Sequence, residues 1–108
     1  MGLFNIFGKS TEQKVIEKLN DNNLNTMSRL LLEAKIVGYR SFSEDQKRTE
    51  CNQLKKQFDL KKGPASESLN RFKWAKDICE EYNFINGAKF MQNYIDIYEI
   101  YLNEYCSQ

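Results

Sequence analysis

Apolar residues recur every three or four positions along most of the chain, which is the period of an α-helix rather than the alternation of a strand. The first predicted helix starts near Ser10, because Gln13 stands three residues later and completes a capping box. Its apolar stripe is short and consists of Val15, Ile16 and Leu19. A polar run of asparagine and aspartate follows and predicts the end of this helix.

The second predicted helix extends from about residue 25 to residue 39 and is apolar on two sides. One side carries Met27, Leu30, Leu31, Ala34 and Val37. The other side carries Leu32, Ile36 and Tyr39. Since a helix that is apolar on two faces needs partners on both, we expect this helix to be central.

A third helix is predicted from Ser43, where Gln46 completes another capping box, to about Phe58. Its apolar stripe is limited to Cys51, Leu54 and Phe58. Such a narrow stripe predicts a peripheral helix with its basic side outward. The stretch from residue 59 to residue 66 contains Gly63 and Pro64 and predicts the main internal loop.

The fourth predicted helix spans roughly residues 67 to 82, and the fifth runs from about Asn86 almost to the end of the chain. The core face of the fourth consists of Leu69, Phe72, Ala75, Cys79 and Tyr82, widened by Trp74 and Ile78. The pattern predicts an all-α fold: a compact antiparallel bundle of four main helices plus a short N-terminal helix. Two stacked hairpins of a solenoid are the alternative, but no convincing internal repeat supports it.

Residues 1–9 form a separate amphipathic segment that precedes the single helical domain of residues 10–108. Leu3, Phe4, Ile6 and Phe7 share one helical face over barely two turns. The segment either docks on the domain or stays mobile, and it is short for a membrane-surface helix. The N-myristoylation pattern fails because Ile6 stands where serine or threonine is needed.

Composition narrows the class of protein. A chain of 108 residues is about one domain long, and its net charge of +1 gives no general attraction to nucleic acid or to an anionic membrane. The three cysteines are widely spaced and no signal peptide precedes them, which predicts a reducing, cytoplasmic location. No apolar run approaches a membrane span, so we expect no integral membrane segment. Frequent asparagine and lysine are typical of an AT-rich bacterial genome.

The chain contains no histidine, so it lacks the commonest general base and the commonest metal ligand. The cysteines have no paired CxxC spacing and are interpreted as small core residues. There is no phosphate-binding glycine motif. We therefore expect a protein that is not an enzyme and has no catalytic residue, cofactor or metal.

Basic and aromatic residues alternate at Arg71, Phe72, Lys73, Trp74 and Lys76, a mixture that single-stranded nucleic acids can bind. Phe72 belongs to the core stripe, and the cations spread around the helix. The sequence therefore favours an amphipathic structural helix and no nucleic-acid partner.

Tyrosines on the fifth helix provide the most distinctive pattern, because they recur at spacings of four, three and four residues and share one face. Buried hydroxyls need hydrogen-bond partners, and tyrosine is enriched at protein interfaces, so the row is either core or contact surface. Acidic residues without basic residues nearby in the sequence lie close to this tyrosine row, and Ile100 lies among polar residues. The candidate partner-binding residues are Tyr94, Asp96, Tyr98, Glu99, Ile100, Tyr101 and Glu104.

By elimination, the first hypothesis is a protein-binding module, namely a bacterial immunity protein that neutralises a cognate toxin by binding it directly. Its partner would be a protein such as a toxin domain. The alternative is a structural or regulatory helical protein that forms homo-oligomers through its C-terminal helix or touches a membrane through its first residues. No family motif decides between them.

Overall fold

Five helices and a terminal π-helical turn account for the regular structure between residues 9 and 106, which are the residues that the computed structural model describes. The helices are α1 (Thr11–Asp21), α2 (Asn25–Val37), α3 (Glu44–Phe58), α4 (Lys62–Glu81) and α5 (Ile85–Ile100), and the π-helical turn is Tyr101–Tyr105. No strand occurs within residues 9–106. The predicted all-α class is confirmed. The amphipathic segment predicted at the N-terminus lies outside the described residues except for Lys9.

Both predicted capping boxes are present and mark the beginnings of α1 and α3. The Gln13 N–H donates to the Ser10 hydroxyl at 3.1 Å, and the Gln46 N–H donates to the Ser43 hydroxyl at 3.1 Å. By contrast, α4 begins earlier than predicted, at Lys62, so that Pro64 lies in its first turn. Proline is tolerated there because the first N–H groups of a helix have no intrahelical acceptor.

The α1–α2 and α4–α5 turns share one backbone geometry. Asn23 follows α1 in the left-handed conformation at a φ of 60°, and the next N–H, of Leu24, donates to the Leu19 carbonyl at 2.8 Å. Asn83 repeats this after α4 at a φ of 58°, and the N–H of Phe84 makes the equivalent bond at 2.8 Å. Asparagine suits this conformation better than most residues that have a Cβ.

The pattern of buried positions is also the same in the two hairpins that these turns connect. Val15, Leu19, Met27, Ser28 and Leu31 are buried in the first hairpin, and Ala75, Cys79, Gly87, Ala88 and Met91 are buried at the corresponding positions of the second. The two related hairpins are therefore α1–α2 and α4–α5. The solenoid alternative, in which the second helix pairs with the third and the fourth with the fifth, has only the α4–α5 pair in common with these hairpins.

The central helix is α5, which packs against α2, α3 and α4, while α1 packs against α2 and α4. The expectation that the second helix is central is wrong, because the structure covers only one of its two apolar faces. On the other face Leu32 is 49% exposed and Ile36 is 85% exposed. The peripheral place predicted for α3 agrees with its two buried residues, Cys51 and Leu54.

A buried amide on α5 holds the connection between α2 and α3. Asn93, which the sequence places on the polar side of its helix, is only 4% exposed. Its side-chain oxygen accepts a hydrogen bond from the Phe42 N–H at 3.0 Å, and its nitrogen donates to the Arg40 carbonyl at 3.1 Å. These bonds satisfy backbone groups that a loop packed against the core would otherwise leave unpaired.

Close packing at Gly87 can be tested with Gly63 as a matched control. A Cβ at Gly87 would lie 2.6 Å from the Phe84 ring and 2.9 Å from the Cys79 sulfur, whereas a Cβ at Gly63 would meet no atom within 4 Å. We expect Gly87→Ala to lower the free energy of unfolding by about 1–3 kcal/mol through overpacking. Gly63→Ala should leave it unchanged or raise it by up to about 1 kcal/mol. Urea denaturation measures both, and equal effects of the two variants would contradict this packing.

Candidate interaction surface

The tyrosines of the predicted contact face lie largely inside the fold. Tyr98 is 7% exposed and Tyr101 is fully buried, whereas Tyr94 and Tyr105 are partly buried. Tyr94 stacks on Phe72 with ring centroids 4.9 Å apart. Tyr101 therefore cannot contact a partner without rearrangement of the core, and only a small part of Tyr98 is accessible.

Internal hydrogen bonds satisfy hydroxyls that the sequence left without obvious partners. The Leu60 N–H donates to the Tyr101 hydroxyl at 3.1 Å, and the Tyr105 hydroxyl donates to the Asn52 side-chain oxygen at 3.1 Å. Within the described part of the chain, every buried side-chain nitrogen or oxygen has a hydrogen-bond partner. Unsatisfied hydroxyls consequently give no reason to place this row at an interface.

Two acids on the predicted surface form ion pairs with α3, although the sequence suggested that they were unopposed. Asp96 accepts a hydrogen bond from Lys47 at 2.8 Å, and Glu104 accepts one from Arg48 at 2.6 Å. The expectation of an outward basic side on α3 holds for Arg48, which is exposed, and fails for Lys47, which is partly buried because α3 packs beside α5. Glu99 is exposed and forms no ion pair within the described residues.

Ile100 is partly buried and packs against the core cluster. The sequence placed it on a polar side of the helix together with Asn93, which is itself buried. Ile100 and Asn93 are less exposed than their polar sequence neighbours suggest, because helices pack against α5 on several sides. Of the candidate binding residues, Glu99 and Glu104 are thus the exposed ones, and Tyr94, Asp96 and Ile100 are intermediate.

Partial burial and ion pairing shift the pKa of Asp96 in opposite directions. Burial disfavours its charged form, but hydrogen bonds from Lys47 and Gln92 and the Lys47 charge outweigh burial and hold the pKa of Asp96 below its usual value. The hydrogen bond to Asp96 correspondingly raises the pKa of Lys47, against the effect of burial. The pair therefore links α3 to α5 with both groups charged at neutral pH.

The potentially reactive thiols lie in the core. Cys51, Cys79 and Cys106 are all free and buried, as the sequence interpretation expected. Burial raises the pKa of the Cys79 thiol to about 12, so its nucleophilic thiolate is scarce at neutral pH. No group of three or more cysteine, aspartate or glutamate side chains within residues 9–106 is arranged to hold a metal ion.

Large apolar side chains remain exposed in two places that the sequence analysis assigned to packing. The outer face of α2 exposes Leu32, Ile36 and Val37, which we call the α2 outer face. On α4, the Trp74 side chain is 46% exposed rather than part of the core. Leu32 and Ile36 belong to the second apolar side of the predicted helix, for which we expected a packing partner, whereas Val37 was predicted on the first side. The third residue of the second side, Tyr39, does pack against the core.

Trp74 borders a groove between α4 and the α1–α2 turn, with a volume of about 400 Å³. The polar part of its lining includes Asn22, Thr26, Gln57 and Arg71. Its apolar part includes Leu24, Met27 and Phe72, which are buried residues of the core. We call this feature, with these residues and Trp74, the Trp74 groove.

Comparison with known proteins assigns no family: no family model matches the chain, and neither a curated protein nor a solved structure matches it significantly. Within the described residues, none of the helices has the length and apolar character needed to cross a membrane.

The ion pair between Lys47 and Asp96 predicts a pH-dependent contribution to stability. Because the pKa of Asp96 is lowered in the folded state, its contribution is present above the unfolded-state pKa and is lost as pH falls through the folded-state pKa. We expect Asp96→Asn to lower the free energy of unfolding by about 1 kcal/mol at pH 7 and by less at pH 2.5.

Urea titrations at the two pH values measure this difference. Asp77→Asn is the matched control, since Asp77 is exposed and forms no ion pair within the described residues. It should change the free energy of unfolding by no more than about 0.5 kcal/mol at pH 7. An equal loss for Asp96→Asn at both pH values would show that the ion pair does not contribute in this way.

Proposed function

We propose that the chain is a non-enzymatic protein-binding module, specifically a bacterial immunity protein that neutralises a cognate toxin by binding it. The observation that carries the proposal is the exposure of large apolar side chains on a domain that already has a continuous core. Leu32, Ile36 and Val37 are 49%, 85% and 53% exposed and lie together on the α2 outer face. Apolar surface of this kind, when it is rimmed by polar groups, is typical of protein interaction sites.

Charged groups add to this argument. The edge between α3 and α5 carries both signs, through Lys47 with Asp96 and Arg48 with Glu104. Glu99 adds an exposed acid on α5. Complementary charges of this type supply partner specificity and speed association more than they supply affinity. An immunity protein has to select one toxin, so such a surface suits the proposed role.

The test begins with affinity capture on the tagged full-length chain from its native host. The captured protein is then purified, recombined with the chain, and expressed with and without it in a test bacterium. We expect a stable stoichiometric complex and a partner whose growth inhibition is relieved by the chain. A captured protein that forms no complex after purification, or whose toxicity is unaffected, would refute the proposal.

Self-association is the second candidate, and the α2 outer face favours it over association through α5. Leu32 and Ile36 stand one helical turn apart and Val37 extends the same exposed region. Light scattering of the purified chain should then report a dimer that Ile36→Ser converts to a monomer. A monomer at all concentrations would exclude this candidate. Association through α5 is not tested by Leu102→Ser, because Leu102 packs against the core and its replacement would also destabilise the fold.

A further inference from the structure

We propose that the Trp74 groove is the anchoring site for an extended segment of the partner protein that presents an acidic side chain next to a large apolar one. This inference rests on the proposed function, because it takes the ligand to be a protein. Of the contact residues that the sequence predicted on the C-terminal helix, only Tyr98 lines this groove, and it is 7% exposed, while Tyr101 is fully buried.

Shape is the first argument for a protein segment. The groove lies where the α1–α2 turn, the end of α3 and the middle of α4 meet, and it offers about 400 Å³. Leu24 and Met27 line its inner side as core residues that are only 2% and 4% exposed, so the accessible apolar surface comes mainly from Trp74, which is 46% exposed. A space of this size accepts one or two large side chains of a segment that continues across the surface on either side.

Chemical composition of the lining is the second argument. Tryptophan and arginine are the residues most enriched among those that dominate the energy of protein interfaces. Here Trp74 and Arg71 stand three positions apart on α4, so they lie on the same side of the helix. The Trp74 ring can cover an apolar side chain while the amides of Asn22 and Gln57 can bind the backbone of the segment.

The charge of the groove is the third argument, because its positive group favours an acidic side chain on the ligand. Arg71 is the one charged residue that lines the groove, and no carboxylate of the described chain lies within 4 Å of its nitrogens. A guanidinium group binds a carboxylate through two parallel hydrogen bonds, which gives direction as well as energy. The segment that fits is therefore acidic and apolar, and a basic segment is disfavoured.

A nucleic acid is the competing ligand, because the sequence alternates basic and aromatic residues around Trp74. In the structure, two residues of that pattern are not available to a nucleic acid, since Phe72 is 5% exposed and Lys76 donates to the Gln92 side chain at 2.7 Å. Only Arg71, Lys73 and Trp74 remain available on this part of α4. One exposed ring is a small stacking platform for a strand of bases.

The test uses a random dodecapeptide library displayed on phage and selected on the immobilised full-length chain. Enriched peptides should carry aspartate or glutamate within two positions of leucine, isoleucine, phenylalanine or tryptophan. Trp74 is the only tryptophan of the chain, so synthetic versions that lack tryptophan should shift its fluorescence emission to shorter wavelength as they bind.

Calorimetry then compares four variants. Arg71→Glu and Trp74→Ser should each weaken binding of the enriched peptides by at least about tenfold, as expected for central interface residues. Lys73→Glu and Ile85→Ser are the matched controls, because both residues are exposed and neither lines the groove, and they should stay within about twofold. Circular dichroism and urea denaturation establish that all four variants are folded.

Several results would overturn the inference. The first is a selection that enriches no acidic and apolar peptide. The second is a set of peptides that bind Arg71→Glu and Trp74→Ser as tightly as the original chain. The third is single-stranded oligothymidine that quenches Trp74 fluorescence and binds more tightly than the peptides. The captured partner separates this failure from failure of the proposed function. If it binds the two groove variants with full affinity, the protein-binding role stands and only the groove assignment fails.

Discussion

Burial of α5 is the constraint on which the other helices depend. Its buried residues include Phe90, Met91, Ile95 and Ile97, which point in different directions around the helix axis, so no single neighbour can cover them. α2, α3 and α4 each cover part of that circumference, and the π-helical turn extends the same helix into contact with α3 and α4. Several aromatic rings of the described residues consequently pack against α5, where Tyr94 and Tyr98 both contact Phe72.

Helix boundaries and fold class could be predicted because they depend on local chemistry. The capping boxes at Ser10 and Ser43 follow from residues three positions apart, and the helical period of apolar residues is visible without tertiary information. The beginning of α4 was less predictable. Gly63 and Pro64 resemble a loop in composition, yet both fit the first turn of a helix.

The arrangement of helices and the candidate surface could not be predicted to the same degree, because both depend on contacts between distant residues. Leu32 and Ile36 look like core residues in the sequence, but no element within residues 9–106 covers them. Asn93 looks like a surface residue, but the Phe42 N–H and the Arg40 carbonyl reach it from a connection 51 and 53 positions away. Likewise, the pairing of Asp96 with Lys47 depends on the packing of α3 against α5.

The narrow apolar stripe of α3 has a consequence for the order in which the fold opens. The α1–α2 and α4–α5 hairpins are closed by short turns, so their contacts join residues close in sequence and cost little chain entropy to form. α3 instead reaches α5 over long separations, as in the bond from the Cys51 thiol to the Ile97 carbonyl, and it buries only Cys51 and Leu54. Among the described helices, α3 is therefore the one expected to detach first in a local unfolding event, with amide hydrogens that exchange before those of α5.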